Sequence, residues 1–192
     1  MYISKILSNY LNTVWRSIAL AVSIGACLCL LTYPALAGID DDKYDGNVFV
    51  LYAGNGSLVP PRISLADSLK VKKPALIVFY VDDSSDCKKH STVISQLQAY
   101  YGKAASFIPV TVDSLELNGK YANTEPGYYY QGTVPQTVII DKDGKVRLNE
   151  TGQLSFEKID DTFRQVFDLL PRKESIELKR RSFNEFNSEL SK

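Results

Sequence analysis

The chain has 192 residues, its 22 basic and 22 acidic side chains cancel, and 45% of its residues are apolar. That length builds one domain with a sizeable core and some extra material at the ends. The even charge excludes an electrostatic nucleic-acid binder and gives no attraction to an acidic lipid surface.

Lys5 and Arg16 are the only charged side chains in the first 37 residues. Ser17 to Ala37 is then uncharged, closes on Ala35-Leu36-Ala37, and is followed by Asp40-Asp41-Asp42. A basic start, an apolar middle and a small-x-small end read as an export signal cleaved after Ala37. The same stretch is long enough to span a bilayer, so residues 1–37 are an export signal or a retained membrane anchor. Either way the charge asymmetry predicts that the body lies on the non-cytoplasmic side. Cleavage removes Cys27 and Cys29 and leaves Cys87 alone, so no internal disulfide supports the fold.

Residues 38–47 are polar and rich in Gly and Asp, which predicts a linker. Asn47 to Tyr52 reads as a short strand. Ser64 caps a short helix through about Val71, and Ala75 to Val81 is a continuous apolar run of the kind found in a central strand. From Asp86 to Tyr101, Val93, Ile94, Leu97, Tyr100 and Tyr101 recur at helical spacing, and Gly102 ends the helix. Ser106 to Val112 is a strand, with Pro109 requiring an edge or a bulge. Gln136 to Asp141 and Val146 to Asn149 form a hairpin on an Asp-Gly turn. Ser155 opens a helix with Phe156, Ile159, Phe163, Val166, Phe167 and Leu170 on one face, stopped by Pro171. Residues 171–192 are charged and helix-prone. The expected fold is α/β: a small mixed central sheet with helices on both faces, an N-terminal apolar helix and a charged C-terminal helical tail.

Two stretches carry a resemblance. Lys73-Pro74-Ala75-Leu76-Ile77-Val78-Phe79-Tyr80 leads to Ser84-Ser85-Asp86-Cys87-Lys88, and Gly132-Thr133-Val134-Pro135-Gln136-Thr137 precedes the Asp141-Lys145 turn. Together they resemble the thioredoxin superfamily, and residues 48–170 would form the domain. The resemblance implies a cis proline loop at Val134 and Pro135, and an active-site motif at Ser84, Ser85, Asp86 and Cys87. That motif is degenerate. Ser84 stands where the attacking cysteine belongs, Cys87 takes the shielded resolving position, and Val78 replaces a buried acid. A serine hydroxyl does not attack disulfides at neutral pH, so no catalytic residue is expected and dithiol chemistry is not expected.

The remaining features admit bland readings. Cys87 is either a buried core residue or the thiol of a monothiol redox enzyme or sensor. His90 reads as a solvated helix residue. Asp82, Asp83 and Asp86 complement a helix N-terminus, with Ser84 or Ser85 as cap, better than they make a metal site. Tyr128, Tyr129 and Tyr130 form a candidate partner-binding surface beside the proline loop, or two of Tyr121 and these three pack inward. No metal or other cofactor is expected. The whole pattern resembles cyanobacterial thylakoid membrane photosystem I accumulation factors. That likeness implies an auxiliary protein of the thylakoid membrane or lumen, with photosystem I subunits or assembly factors as protein partners and membrane contact through residues 17–37 if these are retained. An exported thioredoxin-like domain in another setting would be periplasmic.

Overall fold

The computed structural model describes residues 14–27, 38–116 and 119–175. The chain divides into two compact units, Met1–Ala37 and Gly38–Lys192. In the first, residues 14–27 are helical (α1), and the rest of the expected signal or anchor lies outside the described residues. Among the described residues, no helix is long and apolar enough to cross a membrane.

The second unit is built on four strands: β1 (Ala75–Tyr80), β2 (Ser106–Thr111), β3 (Gln136–Ile140) and β4 (Val146–Thr151), in the order β2-β1-β3-β4. β1 and β2 run parallel, with Ala75 opposite Ser106. β3 is antiparallel to both β1 and β4. The period of two sorts β1 cleanly. Leu76, Val78 and Tyr80 face one core with α2 (Val48–Leu51), α4 (Ser85–Tyr101) and α5 (Phe156–Val166). Ala75, Ile77 and Phe79 face the other, which includes Leu65 of α3 (Leu65–Lys70). The run from Ala75 to Tyr80 is apolar throughout because both of its faces are covered.

The β-type run Asn47 to Tyr52 is one turn of helix, α2, where the sequence predicts a strand. The reason is local capping backed by a distant partner. The Asn47 side chain accepts from the Phe49 N–H, and the Asp82 carboxylate accepts from the Val48 N–H at 2.9 Å. Those bonds satisfy donors a helix start leaves open, and the turn then buries Val48 and Phe49 together.

Among the described residues no strand lies beyond β2, which is a sheet edge, one of the two settings that Pro109 allows. The Ser106 N–H donates to the Pro74 carbonyl, so positions 106, 108 and 110 turn toward β1 and 107, 109 and 111 turn outward. Pro109 removes the middle outward donor.

α5 is shorter than its apolar pattern suggests. Asp168 adopts a positive φ of 52°, and the Leu169 N–H returns to the Arg164 carbonyl at 2.8 Å, closing the helix before Pro171. Leu170, expected on the buried face, is therefore exposed. Residues 172–174 form a single 3-10 turn, and the tail beyond Ser175 lies outside the described residues.

Candidate functional site

The first turn of α4 holds the degenerate motif. Ser84 is the N-cap: its hydroxyl accepts from the Cys87 N–H at 3.3 Å. The hydroxyl that stands in the attacking position is thus tied to the helix end. Cys87 is 1% exposed, and burial pushes its thiol up, with the Asp86 and Asp82 charges adding to the shift. A thiol that resists ionisation is a poor nucleophile and a poor metal ligand. Val78 lies beneath it in the same core.

Asp82, Asp83 and Asp86 diverge. Asp82 serves α2, and burial raises its pKa despite the bond from Val48. Asp86 accepts from the Gln153 side-chain amide at 2.6 Å. Among the described residues, no three acidic, His or Cys side chains sit together as a metal site.

Residues 38–47, expected as a linker, are instead a strap laid over this turn. The cause is Lys88, which is fully buried. Its Nζ donates to the Gly38 carbonyl (2.9 Å), the Asp41 carbonyl (3.0 Å), Asp41 Oδ1 (2.9 Å) and Asp45 Oδ2 (2.9 Å). Nζ also lies 5.1 Å from the centre of the Tyr52 ring. Burial alone would depress the Lys88 pKa, but hydrogen bonds to Asp45 and Asp41 outweigh it and raise the value. A buried ammonium is tolerated only when paired in this way, so the strap follows from Lys88. Asp42 extends it: its carboxylate accepts from the Ser85 N–H at 2.7 Å, a bond that holds the Asp42 pKa down. The amide beside Ser84, which in an open site would face a ligand, is therefore occupied by the chain itself.

His90 is also inside, 2% exposed, where the sequence reading placed it in solvent. Its Nε2 is 2.8 Å from the Thr137 hydroxyl, and its Nδ1 has no hydrogen-bond partner. Burial lowers its pKa to about 4, so it is neutral in the folded protein at pH 7. A signal for this was present: 87, 90, 94, 97 and 101 are spaced as one helix face, and all five are buried.

Across from α4, the Val134–Pro135 peptide is cis, and the Gly152 N–H donates to the Pro135 carbonyl at 2.7 Å. The tyrosines split. Tyr129 is buried, with its hydroxyl donating to the Asn123 carbonyl. Tyr130 lies against Phe79, ring centres 5.1 Å apart, and Tyr128 is 59% exposed. Gln136, unremarkable in the sequence, is what holds this turn. Its side-chain amide donates to the Tyr129 carbonyl (2.7 Å) and to Asn149 (2.6 Å), and its oxygen accepts from the Gln131 N–H (2.9 Å). Gln136→Leu should remove all three bonds and leave the Tyr129 carbonyl only its longer bond from Asn149, at a cost of about 2 kcal/mol. Hydrogen exchange should then rise across 121–131 with the rest of the sheet unchanged.

At the same end of the sheet, an open groove of about 500 Å³ runs beside the edge strand, walled by Val59, Pro60, Ile63, Pro109, Val110 and Pro126.

A profile of the thioredoxin-like domain matches residues 63–167. The chain belongs to the thioredoxin-like family. It is also 56% identical over 156 residues to a thylakoid membrane protein of Synechocystis, covering 81% of this chain and 78% of that one. Solved structures similar to this thioredoxin-like chain include thioredoxin-2 of the malaria parasite's protein secretion machinery (TM-score 0.41, 16% identity, 48% of this chain and 82% of that one). Another is the germline thioredoxin Deadhead of Drosophila (TM-score 0.41, 16% identity, 52% and 85%). The family match and the four-stranded mixed sheet make the α/β architecture expected from the sequence the thioredoxin-like fold, with a helical turn in place of its first expected strand.

Proposed function

We propose that this thioredoxin-like protein is a non-catalytic accessory factor of the thylakoid membrane that supports photosystem I accumulation by holding a protein partner, with its domain on the non-cytoplasmic side. The observation that carries the non-catalytic part is Cys87. It is the only cysteine of residues 38–192, it is buried, and its thiol is pushed toward the protonated form. The capped Ser84 and the strap over Ser85 support the same reading. The thylakoid relative supports the location. The process rests on the resemblance of the sequence pattern alone to photosystem I accumulation factors. Partner contact falls to the surface around Pro135 and Tyr128, with Tyr128 the exposed aromatic of the turn.

The test is deletion in the host, with photosystem I measured as the light-induced oxidation of its reaction-centre chlorophyll per total chlorophyll. Deletion should lower it, and the wild-type gene should restore it. Cys87→Ala, chosen because Ser would bury an unpaired hydroxyl, should restore it equally. Tyr128→Asp should restore it poorly at equal protein level. An unchanged deletion strain would remove the photosystem I assignment. Failure of a folded Cys87→Ala protein would replace partner capture with a monothiol redox role.

A further inference from the structure

The groove beside the edge strand is built from rigid parts. Its lining joins the approach to α3 (Pro60, Ile63), the edge strand (Pro109, Val110) and Pro126. Proline side chains have almost no rotamer freedom to lose, so such a wall is set before a ligand arrives. Among the described residues, no charged side chain lines the groove. Arg62, next to Ile63 in the sequence, lines a separate cavity with Lys73. A charged occupant would give up its water here and gain no partner. One polar demand is left open. Pro109 is buried although it belongs to an edge strand. Its carbonyl turns away from β1, and no described residue donates to it. The next outward carbonyl, that of Thr111, already accepts from the Ser114 hydroxyl at 2.7 Å. The groove thus offers a single backbone acceptor and not a ladder. Covering that oxygen with hydrocarbon would leave it without a bond, whereas a peptide N–H would satisfy it. Pro126 also opens the turn Pro126–Tyr129, which carries the exposed Tyr128. The groove and the surface assigned to the partner share that turn.

We propose that the groove holds an extended, uncharged apolar segment of the protein partner, so that one stretch of peptide contacts Tyr128 and then lies across the outer edge of β2. This rests on the partner-holding function proposed above and adds to it the chemistry of the segment held. Apolar side chains fill the groove, and one backbone N–H of the segment donates to the Pro109 carbonyl. Charged residues of the partner stay outside. The lining selects against charge, and the carbonyl selects against a plain hydrocarbon chain, which has no donor to give. A volume of about 500 Å³ is that of a small-molecule site, so only a short stretch is buried.

The test places the photoreactive amino acid benzoylphenylalanine in the full chain at Ser114, an exposed residue of the groove lining, and in a second strain at Tyr128. Host cells are irradiated, and each adduct is identified by mass spectrometry. Both positions are expected to mark the same protein, with the Ser114 adduct on an uncharged apolar stretch of it. Ile63 lines the groove and packs into neither core, so Ile63→Glu should lower the Ser114 yield about tenfold and leave the thermal melt unchanged. A yield that stays the same in that variant overturns the groove as the contact. A Ser114 adduct on a lipid, on a second copy, on residues 176–192 of the same chain or on a charged stretch overturns the proposal. Adducts at Tyr128 with none at Ser114 overturn the groove and leave the partner reading standing. Adducts at neither position overturn both.

Discussion

Acidification from pH 7 to pH 4 is expected to remove about 3 kcal/mol of stability through His90 alone. Its folded-state pKa is about 4, lowered by burial, whereas an unfolded histidine titrates near 6.5. Between those values the unfolded chain binds a proton that the folded chain does not. Stability therefore falls as pH drops through this window, and it is unaffected by His90 above about 6.5. Below about 4 both states are protonated and the contribution stops growing. Other titrating groups act in separable ways. Asp45, held down by the Tyr52 hydroxyl and by Lys88, loses its contribution only at lower pH, as its carboxylate protonates. Asp82, raised by burial, works in the opposite sense and partly offsets His90. Urea unfolding at half-unit pH intervals should show the slope in the wild type. His90→Gln can keep a bond to Thr137 without titrating, and should flatten the curve between pH 6.5 and 4. A slope that survives in His90→Gln would move the acid sensitivity elsewhere.

Phe163→Ala should cost about 3 to 5 kcal/mol, enough to lower Tm by roughly 10 °C in a domain of this size. Phe163 is fully buried, with ring centres 4.6 Å from Tyr101, 5.9 Å from Phe167 and 6.1 Å from Phe107. These contacts join α5 to the end of α4 and to β2. The cavity would open in a rigid corner, since the Tyr101 hydroxyl is bonded to Asp160 and Asp160 to Arg164. Poor relaxation is what makes a truncation expensive. Phe163→Leu should recover much of the loss by restoring volume. Thermal melts of the three proteins decide the matter: a fall of only a degree or two in Phe163→Ala would mean that α5 contributes little to the fold.

The elements visible in the sequence are those fixed by local pattern. β1 shows as an unbroken apolar run, α3 and α5 by serine caps, the hairpin by Asp143-Gly144, and the edge position of β2 by Pro109. Apart from the early end of α5, which Asp168 sets locally, the misreadings involve partners distant in the chain. Asn47 to Tyr52 has the composition of a strand, but the Asp82 carboxylate accepts from the Val48 N–H at the helix start, 34 residues away. Residues 38–47 look like linker because their acids are polar, and nothing nearby reveals that Lys88 will be buried and require them. Gln136 sits in a strand pattern whose function comes from the turn before it and the strand after it. His90 could have been found, because the helical spacing from Cys87 to Tyr101 passes through it. The degenerate motif was readable from residue identity alone, while its closure by Asp42 was not.

Pro109 has a consequence for crowding. The two rims of this sheet are guarded differently, β2 by a missing donor and β4 by Arg147 and Glu150 along its length. Neither offers a plain template on which a neighbouring copy could zip up a shared ladder. Copies packed densely together would therefore meet through side chains rather than a shared ladder. Self-association, where it occurs, should dissolve on dilution and leave the far-ultraviolet spectrum unchanged.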